Sequence, residues 1–307
     1  MNKILYIFLF ASLFFVACSS EDVPNNPQNN NKQIELRLNV KDFVGETKTK
    51  AGFDANDDEK KIVDLNLFID TGSDWHSYYI SSATFTGGTW ETAGTQEKIL
   101  LSLKPDEVGE ATVYVVANAG NTLGSIGDAS ALKSQLVATA TSWTNINTPL
   151  IMSGEAQHVF TANDPVLNAV TLTRAVAKAE VTVTLTQQYQ SEVLTEYAYR
   201  LLNFNKNTYL FGDAPSKTEA LEGTGNEWIA IADPIETVEE DGKITGFTFT
   251  TYLNERANAT YGHTTLELKL PFWDDGAPPP QFLDESLPIQ FPTTIERNHY
   301  YKIAVTM

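Results

Sequence analysis

Residues 34–40 read Ile34-Glu35-Leu36-Arg37-Leu38-Asn39-Val40, four apolar side chains alternating strictly with three polar ones. Successive side chains of a strand point to opposite faces, so this ribbon has one face in a core and one in water. The pattern returns at Val176–Thr186, where Val181, Val183 and Leu185 alternate with Glu180, Thr182, Thr184 and Thr186. Between and beyond these stretches, residues 62–70, 99–103, 111–117, 149–156 and 166–173 also have strand character. So do residues 197–204, 228–232, 246–253, 264–270 and 300–305. The segment 111–117 carries Val113, Val115 and Val116, apolar enough for a central strand. Residues 84–92 read as a hairpin around Gly87-Gly88, and residues 45–58 as a polar loop.

One helix is expected, over Asp128–Thr139, with Asp128 or Ser130 as its cap and Ala131, Leu132, Gln135 and Leu136 on one face. About a dozen short strands separated by turns predict an all-β chain built as two tandem β-sandwiches with few short helices. The division is expected near Leu172–Ala177, giving an N-terminal sandwich over residues 33–173 and a C-terminal one over 174–307.

Composition narrows the partners. With 21 Lys and Arg against 39 Asp and Glu, the 307-residue chain carries a formal charge of −18. Such a body repels nucleic-acid phosphates and anionic lipid head groups alike. The single cysteine, Cys18, leaves no internal disulfide to staple the fold, so stability must come from buried apolar strand faces.

The N-terminus is an address. Lys3 precedes the apolar run Ile4–Val16, too short for a bilayer-spanning helix, which needs roughly 20 residues. Residues 1–17 therefore read as a secretory signal. Phe15-Val16-Ala17-Cys18 resembles the lipobox of bacterial lipoproteins, although Phe15 stands where Leu is usual. That resemblance implies a lipidated Cys18 as the mature N-terminus and an anchor in the outer membrane. Residues 18–32, rich in Asn, Pro and Gln, have little to bury and are expected to form a solvated tether. The acidic Glu21-Asp22 after the cysteine resembles a surface-export signal of Bacteroides-like lipoproteins.

No catalytic grouping emerges. His76, His158, His263 and His299 are scattered and fall at no metal-ligand spacing. Asp54-x-Asn56-x-Asp58 starts like a calcium loop, but Glu59 and Leu65 occupy the positions that need Gly and a bidentate Glu. A helix start or a solvated loop suits it better. Ser153-Gly154 forms no nucleophile elbow, and Trp273-Asp274-Asp275 offers two carboxylates with nothing nearby to tune them. The expectation is a protein that is no enzyme and uses no cofactor. Trp75, Trp90, Trp143, Trp228 and Trp273 leave room for a glycan-binding alternative, though tryptophans in sandwiches are more often core.

Several segments in order resemble the fimbrillin, or type V pilin, family of anaerobic Gram-negative bacteria. They are the lipobox, the strand at residues 34–40, the Thr49-Lys50-Ala51 loop, and Val113-Tyr114-Val115-Val116-Ala117-Asn118-Ala119. Pro149-Leu150-Ile151-Met152-Ser153-Gly154, Leu172–Ala179 and Ile295–Ile303 complete the set. The resemblance implies two transthyretin-like, Greek-key sandwiches in a fimbrial subunit at the cell surface. It also implies that a protease cuts the loop after the first strand, here between Lys50 and Ala51. The strand bearing Ile34, Leu36, Leu38 and Val40 then leaves, as an edge ribbon would, and a strand from another fimbrial subunit replaces it.

The family's cleavage residue is Arg. Here Lys50 stands there, with Lys48 nearby, and Arg37 lies inside the strand. The chain ends a few residues past Tyr300-Tyr301-Lys302-Ile303, so on this resemblance it could accept a strand but not donate one. That is the expectation for a tip subunit with a role in adhesion to host or bacterial surfaces. Without cleavage the expectation becomes a membrane-anchored basal subunit.

Overall fold

The computed structural model describes residues 32–45, 55–93, 96–138, 146–212, 221–222, 227–232, 235–256, 262–272, 281–282 and 286–307. The first alternating segment forms β1 (Ile34–Val40), with Ile34, Leu36 and Leu38 fully buried and Glu35 and Arg37 half-buried on the other face. A two-residue strand, β2 (Val44–Gly45), comes next. Helix α1 (Asp57–Lys60) then begins at a capping box. The Asn56 side chain accepts from the Glu59 amide at 2.8 Å, and the Glu59 carboxylate accepts from the Asn56 amide at 2.8 Å. The calcium-like spacing is thus a helix start.

The N-terminal sandwich continues through β3 (Leu65–Asp70), β4 (Trp75–Ile80), β5 (Thr84–Phe85), β6 (Gly88–Ala93) and β7 (Gln96–Leu101). After α2 (Pro105–Val108) come β8 (Glu110–Ala117), α3 (Ala129–Lys133), β9 (Leu136–Ala138), β10 (Met152–Val159) and β11 (Val166–Arg174). One layer is β4-β3-β8-β10 and the other β11-β1-β7-β6-β5. Strand β11 belongs to both: residues 166–172 run beside β1, whereas Thr173 and Arg174 pair with β10. Between the layers lies one apolar core, to which β1 contributes Ile34, Leu36 and Leu38, β3 Leu65, Leu67 and Ile69, and β8 Val113 and Val115. The 84–92 hairpin forms, but its turn is Thr86-Gly87, and Gly88 already pairs with Phe85. Gly87 takes φ +108°, which a side chain would resist.

The expected helix over Asp128–Thr139 is corrected. Asp128 does cap it, accepting from the Ala131 amide at 2.8 Å, yet the helix ends at Lys133. Only Leu132 of the proposed apolar face is buried. The remainder turns into β9, because a ladder partner reaches it from far along the chain and tertiary pairing overrides a weak helical pattern.

The C-terminal sandwich comprises β12 (Val176–Thr184), β13 (Ala198–Leu202), β14 (Phe204–Asn205), β15 (Asn207–Tyr209), β16 (Leu221–Glu222) and β17 (Ile229–Ala230). It continues with β18 (Glu236–Glu240), β19 (Lys243–Asn254), β20 (Thr265–Lys269), β21 (Pro271–Phe272), β22 (Gln281–Phe282), β23 (Leu287–Gln290) and β24 (His299–Thr306). Its layers run β18-β19-β12-β24-β2 and β17-β13-β20-β23. Val181, Val183, Phe247, Phe249, Leu266, Leu268 and Ile289 fill the space between them. Tyr197 and Phe247 meet edge to face at 5.0 Å.

The two halves are sewn together. β15 pairs with β9, which brings Leu210 and Phe211 onto the outer face of β3 and β8 beside Phe68, Tyr114 and Val116. The Ser153 hydroxyl donates to the Leu210 carbonyl, and Arg297 donates to Tyr209 O at 2.9 Å and Leu210 O at 3.1 Å.

This packing makes two outcomes expected. A Cβ at Gly154 would lie 2.3 Å from the Thr171 carbonyl of the neighbouring β11, so Gly154→Ala should destabilise by about 3 kcal/mol in urea unfolding. Phe211 packs edge to face with Tyr114 at 5.9 Å, and Phe211→Ala should cost about 3 kcal/mol. If that loss registers only in near-ultraviolet signals of one half, the two sandwiches unfold separately.

Candidate functional site

Strand β1 occupies a slot with two walls. It runs parallel to β11 on one side and antiparallel to β7 on the other, so the expectation of an edge ribbon is corrected: β1 is an interior strand. The reason is topological, since an edge strand needs one layer-mate and β1 has two. Opposite β1, β11 carries a bulge, where Leu36 and Leu38 face Leu167 and Val170. Ladder bonds extend to both ends, from the Ile34 amide to Leu103 O at 3.3 Å and from the Lys41 amide to Leu172 O at 2.9 Å. On the polar face Glu35 meets Arg37 at 2.7 Å and Lys98 at 3.5 Å, and Asn39 accepts from Gln96 at 2.9 Å.

The structure thus brings Ile34, Leu36 and Leu38 into one buried row, while Val40 is only partly covered at its end. Each of the three buried side chains represents about 1.5–3 kcal/mol of transfer free energy. Cys18, Lys48, Lys50 and Ala51 lie outside the described residues, as do Trp143 and Trp273-Asp274-Asp275. Of the other tryptophans, Trp75 stacks against Phe68 and Tyr114, Trp90 donates to Glu97 at 2.7 Å, and Trp228 lies under Arg200. None of these three forms a bare platform. Among the described residues, no group of three His, Cys, Asp or Glu is placed to hold a metal ion.

The exit from β1 is more elaborate than a plain polar loop. Lys41, Asp42 and Phe43 cross to the second sandwich, where Val44 and Gly45 pair with His299 and Tyr300 of β24. Arg174, ending β11, is fully buried at this crossing. Its guanidinium donates to Lys41 O at 2.6 Å, Glu59 O at 3.0 Å and Asn298 Oδ1 at 2.9 Å, and lies 4.3 Å from the centroid of the Phe43 ring. Burial brings Arg174 down to about 10, still protonated at neutral pH. Asn298, held at φ +58°, donates to Asp42 O at 2.7 Å, and its own carbonyl accepts from the Val44 amide at 2.8 Å.

The Glu59 carboxylate is the acidic counterweight. It is fully buried, with Lys178 Nζ at 2.8 Å and the Tyr252 hydroxyl at 2.6 Å. Burial pushes its pKa up, but the hydrogen bonds from Lys178, Tyr252 and the Asn56 amide, with the Lys178 charge, hold it below the ordinary carboxylate value. Tyr252 is pushed well above the normal phenol range, by burial first and then by that carboxylate.

Sequence reasoning missed Arg174, Glu59, Asn298 and Phe43 as a group. One signal was available. Arg174 shares the parity of Val170 and Leu172, so a guanidinium stood on the inward face of an apolar strand. The partners that make this tolerable come from three separate stretches of chain, at residues 41–43, 59 and 298.

Arg174→Met would leave the carbonyls of Lys41 and Glu59 and the Asn298 Oδ1 buried without their donor, so it should destabilise by about 3–5 kcal/mol. The Glu59 contribution has a pH signature. Its value in the fold lies below the ordinary 4.5, so its stabilisation is complete above about pH 4.5 and is lost as pH falls through the lower folded value. Urea midpoints of the natural chain should therefore fall more between about pH 5 and about pH 3 than those of Glu59→Gln. Equal falls would remove Glu59 from the acid response.

The chain resembles known proteins over nearly its whole length. Residues 175–306 match the family model described as the C-terminal part of the minor fimbrium tip subunit MfA4. The minor fimbrium tip subunit MfA4 of Porphyromonas gingivalis is 34% identical, with 98% of each chain covered. Among solved structures, a candidate cell adhesion protein from Parabacteroides distasonis superposes with a TM-score of 0.62 at 14% identity, covering 91% of this chain and 89% of that one. The C-terminally truncated tip fimbrial protein Mfa3 from Porphyromonas gingivalis gives 0.50 at 17% identity, covering 90% and 95%. These two likenesses concern the fold, and the relative at 34% identity establishes the kinship: the chain belongs to the family of the minor fimbrium tip subunit MfA4.

Proposed function

We propose that this protein is a structural tip subunit of a surface fimbria, assembled by exchange of its first strand. In this reading Cys18 is lipidated during export and carries the subunit to the outer membrane. A protease then cuts between Lys50 and Ala51. The strand bearing Ile34, Leu36, Leu38 and Val40 leaves with its exit segment, and a neighbouring fimbrial subunit supplies a strand in its place. Residues 33–173 and 174–307 act as the two domains, and adhesion to host or bacterial surfaces is the task at the fimbrial end. The protein performs no catalysis and needs no cofactor.

One observation carries this reading. β1 is an interior strand whose departure would leave a groove lined by ladder groups on β7 and β11 and floored by the apolar core. Two rows of unpaired backbone groups over an apolar floor demand a replacement strand, and ladder bonds would provide its affinity. A second reading is favoured by the clamp on residues 41–44. Arg174 and Asn298 hold this segment to the second sandwich, which suits a subunit that keeps β1 and serves as a lipid-anchored base.

The mature N-terminus separates the two. Mass spectrometry of fimbriae sheared from cells should find this subunit beginning at Ala51. A lipidated Cys18 on the assembled subunit would mean that β1 stays, and the anchored reading would replace exchange.

A further inference from the structure

The slot that β1 fills does not end where its ladder ends. Beyond Val40, the carbonyls of Lys41 and Asp42 are taken by Arg174 at 2.6 Å and Asn298 at 2.7 Å. Phe43, 5% exposed, then enters a pocket formed by Leu150, Val176, Tyr300 and Ala55. Its ring lies 6.1 Å from that of Tyr300 and faces the Arg174 guanidinium at 4.3 Å, with Lys178 Nζ at 5.9 Å. The buried Arg174 guanidinium therefore has its π face from this ring, whereas Lys178 lies nearer the Tyr300 ring, at 5.0 Å, and is paired with Glu59. One guanidinium nitrogen of Arg174, Nη2, is buried and lacks a hydrogen-bond partner among the described residues. A desolvated cation stacked on an aromatic face gains about 2 kcal/mol or more, which an aliphatic residue cannot supply.

We propose that the groove selects its replacement strand through this clamp. The incoming strand must run in the direction of β1 and place an aromatic residue where Phe43 sits, three positions beyond Val40 at the end of the ladder. The backbone carbonyls preceding that aromatic residue are gripped by Arg174 and Asn298, whatever the side chains are. The apolar row at Ile34, Leu36 and Leu38 is a pattern that many strands share. The aromatic residue past the ladder is what tells one strand from another, because leaving the pocket empty takes the π face from a buried guanidinium. This selection rests on the exchange reading above.

The test uses the full chain with a site-specific protease sequence inserted between Lys50 and Ala51. After cutting, the nicked protein is mixed with fluorescent synthetic peptides of residues 32–45, either unaltered or carrying Phe43→Ala, Phe43→Leu or Phe43→Tyr. Uptake is measured by fluorescence anisotropy. The unaltered and Tyr peptides should enter with similar affinity, and the Ala and Leu peptides should bind at least about tenfold more weakly. In nicked chain carrying Arg174→Met, the difference between the Phe and Leu peptides should shrink below about threefold. Uptake of Ala and Leu peptides within about tenfold of the natural one would overturn the aromatic selection and leave exchange intact. Failure of every peptide to enter, with the cut fragment still bound after the nicked chain is warmed, would overturn exchange itself and the selection with it.

Discussion

A single guanidinium, buried at the end of β11, holds the architecture together. Arg174 sits where β11 leaves one layer of the first sandwich for the other, just before β12 opens the second. Placing a charge there is expensive in desolvation, and the cost is offset by partners brought from three directions: the exit of β1 with its Phe43 ring, helix α1, and the turn before β24. Each satisfies a donor or covers a face of the same ion. Together they fix how the β1 exit leads onto β24, and so how the first sandwich continues into the second.

That constraint changes the meaning of the first strand. An edge strand could peel away at the loss of one ladder. β1 is held by two ladders, three fully buried side chains and, through residues 41–44, by groups of the second sandwich. Taking β1 out would therefore break contacts in both sandwiches at once. A formal net charge of −18 also sets identical copies of this chain against one another through like-charge repulsion.

Much of this was legible in the residues because β-structure writes itself with period two. The alternation at 34–40 and 176–186 marked strands, the second of which ends at Thr184, and the valines of 113–116 marked a central one, now seen with β3 and β10 on its flanks. The capping potential of Asp128 was visible because caps are local, whereas Asp54-x-Asn56-x-Asp58 suggested a helix start or a loop without naming Asn56 as the cap. Where the reading failed, the deciding contact was remote. β9 became a strand because β15 lay ready to pair with it, and β18, with every residue exposed, carries no alternation for a sequence pattern to detect.

Local chemistry alone was enough to set the all-β class, the apolar row of β1 and the kinship suggested by short motifs, because each depends on neighbours within a few residues. Tertiary structure alone decided that β1 is interior and that Phe43 closes a pocket. It alone decided that Arg174, Glu59 and Asn298, drawn from stretches more than a hundred residues apart, form one buried cluster. Periodicity reports which face of a strand is dry. It carries no information about which strands flank it, nor about which distant carbonyl will meet a buried cation, since those are properties of the assembled layers.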